Sequence, residues 1–124
     1  MILGVGTDLA NIDRIAATLD RFGDRFRNRV FTQTEQSKAE RRKDVAGTYA
    51  KRWAAKEAFL KALGRDVKGL PYRDIEVLQA SAGRQSMVID GLAAAALASA
   101  GGRHIHLSIS LDGGYALASV ILES

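Results

Sequence analysis

The run Trp53-Ala54-Ala55-Lys56-Glu57-Ala58-Phe59-Leu60-Lys61 sets a carboxylate between two lysines, in a segment otherwise made of side chains that bury. On a helix advancing ~100° per residue, Ala50, Trp53, Ala54, Glu57 and Lys61 fall on one stripe, so Glu57 and Lys61 interrupt a face that would otherwise pack. Two readings are open. Glu57 and Lys61 stand one turn apart, and a solvated i,i+4 pair is worth only ~0.3–0.5 kcal/mol. In the other reading Glu57 binds a cation and Lys61 an anion. A second carboxylate, Asp8, sits in Gly6-Thr7-Asp8-Leu9 behind an apolar opening segment. There it either forms an Asx turn, helps to start the next helix, or serves as a metal ligand at the mouth of a strand. Mg²⁺ is commonly held by one or two carboxylates together with water and substrate phosphates. Asp8 plus Glu57 supplies that number, and Lys61 would then face the phosphate.

The elements that must carry these residues follow from apolar spacing and breakers. Met1 to Gly6 reads as a short buried strand ending at Thr7-Asp8. Asn11 or Asp13 caps a helix with Ile12, Ile15, Ala16, Leu19 and Phe22 on one side and Arg14, Arg21 and Arg25 on the other, and Gly23 weakens or ends it. Thr32-Gln33-Thr34-Glu35 has capping-box spacing, so a short helix starts after Phe31. Asp44 opens the long helix that carries Glu57, and Gly64 stops it. After a loop with Gly69 and Pro71, Asp74 to Ala80 and Gln85 to Ile89 read as strands joined at Ser81-Ala82-Gly83-Arg84, and Asp90 caps an Ala-rich helix closing at Gly101-Gly102. Ile105, Leu107, Ile109 and Leu111 alternate with His104, His106, Ser108 and Ser110, a half-buried strand that turns at Asp112-Gly113-Gly114 and returns from Tyr115 to Leu122. Helices and hairpins in this order predict an α+β fold, with residues 1–124 as one domain.

Bulk properties narrow the function. The chain has 124 residues, 47% of them hydrophobic, enough for one modest core, so oligomer formation is plausible. It has no cysteine, which removes disulfides, thiolate metal sites and a cysteine nucleophile. The opening residues lack a basic leader and the stretch from Leu92 to Ala100 is too short to span a bilayer, so a cytoplasmic protein without a membrane partner is expected. The net charge of +4 is unevenly spread: residues 1–65 carry +6 and the remainder −2. The first half is suited to an acidic partner, whether nucleic acid, a phosphate-rich cofactor or an acidic protein. His104 and His106 share a strand face but have no evident third ligand, and Trp53 suits core packing better than a stacking platform.

Gly-x-Asp near the end of the first strand, followed about fifty residues on by Trp-x-x-Lys-Glu-Ala-x-x-Lys, resembles the phosphopantetheinyl transferases. The similarity to the small bacterial holo-acyl-carrier-protein synthases extends over the opening Met1 to Leu9, Arg25 to Thr32, Tyr49-Ala50-Lys51-Arg52, Lys61-Ala62-Leu63-Gly64 and Gly114-Tyr115-Ala116. That resemblance implies a mainly antiparallel sheet packed on a long central helix, assembled as a homotrimer with active sites between subunits. It implies transfer of the 4′-phosphopantetheine arm of coenzyme A to a serine of apo-acyl carrier protein, leaving adenosine 3′,5′-bisphosphate, in fatty acid biosynthesis. Asp8 and Glu57 would hold Mg²⁺ against the coenzyme A pyrophosphate, Lys61 would stabilise the leaving group, and Glu57, directly or through water, would accept the serine proton.

The same resemblance gives Arg14, Arg21 and Arg25 to the acidic helix of the carrier protein, and Arg52, Lys61, Gly83, Arg84 and Ser110 to coenzyme A. Three positions depart from the family pattern. Arg65-Asp66-Val67-Lys68-Gly69 replaces a Gly-Thr-Gly type loop, Leu111 replaces a histidine after Ser110, and Gln85 replaces a proline after Arg84. Two readings from other classes compete: a basic nucleic-acid-binding module, and a non-catalytic module that docks an acidic protein. Both explain the charge, and neither explains Asp8 with Glu57.

Overall fold

The computed structural model describes residues 1–64 and 69–124. The departing loop after Gly64 therefore falls, at 65–68, outside the described residues. The chain runs β1 (Ile2–Asn11), α1 (Ile12–Phe22), α2 (Asp24–Val30), α3 (Gln33–Glu40), α4 (Val45–Leu63), a 3-10 turn (Tyr72–Asp74), β2 (Ile75–Gln79), β3 (Gln85–Ile89), α5 (Gly91–Ser99), β4 (His104–Asp112) and β5 (Tyr115–Glu123). Strands β1, β5 and β4 form one antiparallel sheet in that order, and β2 pairs with β3 in a second. The architecture is α+β, with the three-stranded sheet lying on the long helix α4.

Small residues set how closely sheet and helix approach. Ala50, Ala54, Ala55, Ala58 and Ala62 of α4 are all buried, as are Ala116, Ala118, Val120 and Leu122 of β5. Opposite them, Gly4 and Gly6 of β1 lie so near the helix that a Cβ on either would stand 1.9 Å from the carbonyl oxygen of Ala62 or Ala58. Helix backbone cannot yield by that much, so glycine is required at both positions. Gly4, Gly6, Asp8 and Ala10 alternate onto the same strand face, so this approach also delivers Asp8 to the side of α4.

Most boundaries match the sequence reading. Asn11 caps α1 by accepting from the Arg14 amide at 3.0 Å, Asp44 caps α4 through the Gly47 amide, and Thr32 with Glu35 forms a complete capping box. Gly113 and Gly114, both at positive φ, make the two-residue turn between β4 and β5.

Two expectations need correction. Strand β1 continues to Asn11, because β5 is long enough to pair it throughout; Asp8 lies opposite Ala118 within the ladder, which excludes the Asx turn. Arg25 is not on the first helix. Gly23, at φ 53°, ends α1 and the chain restarts as α2, which carries Arg25.

Candidate active site

Asp8 and Lys61 meet across the β1–α4 contact. Lys61 Nζ donates to Asp8 Oδ1 at 3.0 Å and to the carbonyl of Thr7 at 3.2 Å. The Asp8 side chain is 15% exposed and that of Lys61 55%, so the pair is open to solvent on the lysine side and adds little stability. Glu57, one turn before Lys61, does not pair with it. Its Oε1 accepts a 2.7 Å hydrogen bond from the Tyr72 hydroxyl. The Tyr72 phenol is pushed up to about 12, first by burial, then by its bond to Glu57, with Asp8 adding to the effect and Arg29 opposing it. Tyr72 thus stands in the field of both carboxylates. Among the described residues, Asp8 Oδ2 and Glu57 Oε2 have no hydrogen-bond partner, leaving one hard oxygen from each carboxylate.

The other charged members of the α4 motif have separate places. Lys56 is fully buried, and its Nζ donates to Glu35 Oε1 at 2.8 Å, to the Tyr72 carbonyl at 3.0 Å and to the Ile75 carbonyl. Burial pushes the Lys56 amine down, and Glu35 opposes that shift. Glu35 is buried too: it closes the capping box on the Thr32 amide and accepts from the Val77 amide at 2.8 Å. Removing either partner would leave a buried charge alone, at a cost of ~3–5 kcal/mol. Lys56 is therefore a strut between α4, α3 and β2, and adds nothing to the surface field.

Arg52, one turn before Lys56, is 1% exposed, and its Nε and Nη1 have no hydrogen-bond partner among the described residues. Burial lowers its affinity for its proton, Glu35 raises it, and Arg42 lowers it further. Arg42 with Lys38, Arg41, Gln79, Ala80 and Ser81 lines a basic cleft of about 480 Å³. Gly83 and Arg84 belong to the turn that borders it, where the Ala80 amide donates to the Arg84 carbonyl at 2.8 Å.

Ser110 is elsewhere, exposed on the face of the sheet turned away from α4. One chain thus gathers Asp8, Glu57 and Lys61 in one place, sets Gly83 and Arg84 at the border of the basic cleft, and buries Arg52 in α4 within the field of Arg42, with Ser110 apart from all of these. Arg14, Arg21 and Arg25 are exposed on α1 and α2, and Arg25 joins Thr18, Phe22, Phe26 and Arg29 around a largely apolar cavity of about 230 Å³. Trp53 packs between Phe26 and Tyr72, with ring centroids 5.9 and 5.2 Å away.

Tyr72 and Glu35 were not singled out as site residues from sequence. Tyr72 follows a loop and a proline with no periodicity to mark it, and the capping box explained Glu35 without revealing its second partner. Among the described residues no helix is long and apolar enough to cross a membrane.

The family model of the 4'-phosphopantetheinyl transferase superfamily matches residues 4–120. A holo-[acyl-carrier-protein] synthase of Roseobacter denitrificans is 57% identical, the match covering 100% of this chain and 96% of the relative. The crystal structure of the holo-[acyl-carrier-protein] synthase from Neisseria meningitidis superposes with a TM-score of 0.89 at 32% identity, covering 100% of both chains. A synthase–coenzyme A complex from Chronobacterium ammoniagenes superposes at 0.82 with 38% identity, covering 96% of this chain and 95% of the other. Family model, relatives and fold agree over nearly the whole length, and the chain belongs to the 4'-phosphopantetheinyl transferase superfamily.

Proposed function

We propose that this protein transfers 4′-phosphopantetheine from coenzyme A to a serine of apo-acyl carrier protein, with the Asp8, Glu57 and Lys61 group as its reaction centre. The observation that carries this reading is the convergence of two half-buried carboxylates and a lysine where β1 meets α4, in a chain whose relatives are holo-[acyl-carrier-protein] synthases. The free oxygens of Asp8 and Glu57 suit a hard divalent ion, and we assign Mg²⁺ to them. When bound, Mg²⁺ would neutralise pyrophosphate charge and orient the phosphorus for in-line displacement.

The chain's own groups supply the remainder. Attack by the serine oxygen forms a new O–P bond and breaks the bond from the pantetheine phosphorus to the bridging pyrophosphate oxygen, releasing adenosine 3′,5′-bisphosphate. The serine proton passes to the Glu57 carboxylate, and Lys61 Nζ, exposed and able to leave Asp8, stabilises the negative charge gathering on the leaving phosphate.

Coenzyme A is a polyanion, and we place its nucleotide end in the basic cleft of Lys38, Arg41 and Arg42, beside Gly83 and Arg84; the Arg52 guanidinium, whose Nε and Nη1 have no partner among the described residues, would add to the field there. For the carrier protein we assign the arginine face of α1 and α2. The apolar cavity between Phe22 and Phe26, rimmed by Arg25 and Arg29, suits one large side chain of an acidic amphipathic helix.

We also propose a homotrimer formed through the outer face of the sheet. Val5 and Leu9 there are 60% and 59% exposed, and each lies beside an outward residue of β5, Ile121 and Leu117. Ser110 opens onto the same face, so a neighbouring chain would bring it to a shared nucleotide pocket.

Mass spectrometry of apo-acyl carrier protein after incubation with this protein, coenzyme A and Mg²⁺ tests the function. A phosphopantetheine-sized gain on the carrier serine is expected, and an unmodified carrier protein contradicts the reading.

A further inference from the structure

The assignment of Asp8 and Glu57 to a cation leaves the Tyr72 phenol without a role. Its hydroxyl is the one described group that hydrogen-bonds the Glu57 carboxylate, at 2.7 Å, and it is held from three directions. The ring stacks on Trp53 at 5.2 Å with 28° between planes. The carbonyl of Tyr72 receives Lys56 Nζ at 3.0 Å, and Lys56 is itself fixed by Glu35 at 2.8 Å. Two residues on, Asp74 accepts from the Leu92 amide at 2.9 Å and closes the turn on the Pro71 carbonyl, tying the segment to α5. A glutamate on a helix has three rotatable bonds and samples several carboxylate orientations; a donor held this firmly selects one.

We propose that Tyr72 is a positioning residue for Glu57: its hydroxyl holds Oε1, leaves Oε2 as the oxygen that meets the cation, and is itself located by the buried Glu35–Lys56 pair. The motif lysine thus acts on the site from inside the fold, through the Tyr72 backbone. This inference rests on the reading of Asp8 and Glu57 as the metal site.

The test is Mn²⁺ binding in the presence of coenzyme A, followed by the electron paramagnetic resonance of the free ion, for the parent, Tyr72→Phe and Asp8→Ala. Phenylalanine keeps the stack on Trp53 and the carbonyl that receives Lys56, and removes the hydroxyl alone. The Mn²⁺ dissociation constant should rise ~10-fold in Tyr72→Phe, with a lower kcat, an unchanged KM for carrier protein and an unchanged thermal midpoint. Parent-like Mn²⁺ affinity in Tyr72→Phe, with Asp8→Ala weakened, overturns the role of Tyr72 and leaves the metal site standing. A parent that binds Mn²⁺ no better than Asp8→Ala overturns the metal site and this inference together.

Discussion

Lys56 and Lys61 stand five positions apart in one motif and do opposite work. Lys61 is open to solvent and pairs with Asp8, whereas Lys56 is sealed against Glu35 and two carbonyls. Helical phase set Lys61 on the stripe of Glu57 and Lys56 off it, but did not reveal the buried partner of Lys56. Asp8 and Glu57 stood out in the sequence because each interrupts an apolar context, and a carboxylate placed there needs a partner. Tyr72 was not legible: its contact with Glu57 joins two residues fifteen positions apart, and no periodicity links them. Replacing Asp8 or Glu57 with alanine removes one of the two free oxygens. Phosphopantetheine transfer by Asp8→Ala or Glu57→Ala should fall at least ~100-fold at fixed Mg²⁺, as read by steady-state kinetics. Turnover near that of the parent in either variant would contradict the assigned ligands.

Four helix starts were read more accurately than the end of the first strand, while α2 was not expected at all. Asn11, Thr32, Asp44 and Asp90 all cap as their side chains allow, since a cap is decided within four residues. The length of β1 depended on β5, more than a hundred positions away, and so Asp8 fell inside a strand expected to have ended. The break at Gly23 likewise split the arginine face between α1 and α2. That face is a docking surface in this account, and α1 contributes Arg14 and Arg21, both exposed. Exposed charges of this kind steer association and fade with salt. The double variant Arg14→Glu with Arg21→Glu should raise KM for carrier protein ~10-fold or more while KM for coenzyme A holds. An unchanged carrier-protein KM would remove α1 from the docking surface.

At the scale of the molecule, the outer sheet face explains why one chain leaves Ser110 away from the carboxylates. Val5, Leu9, Leu117 and Ile121 form an apolar stripe that α4 does not cover, and a trimer would bury it. Light scattering should give about three times the 13.4 kDa chain mass, and the mass of a single chain would contradict the shared pocket. The α+β class was visible in the sequence from periodicity and turns, and the packing of sheet on helix only through the family resemblance; which sheet face stays open was not, because alternation marks two faces without saying what covers each. The central claim, metal-dependent transfer by the Asp8–Glu57–Lys61 group, is tested most directly by the mass of acyl carrier protein incubated with this protein and coenzyme A, in parallel with Mg²⁺ and with a chelator. The account predicts a phosphopantetheine-sized gain with Mg²⁺, none with the chelator, and recovery when Mg²⁺ is returned in excess. Equal gain in both arms would contradict the metal site, and no gain in either would contradict the transferase.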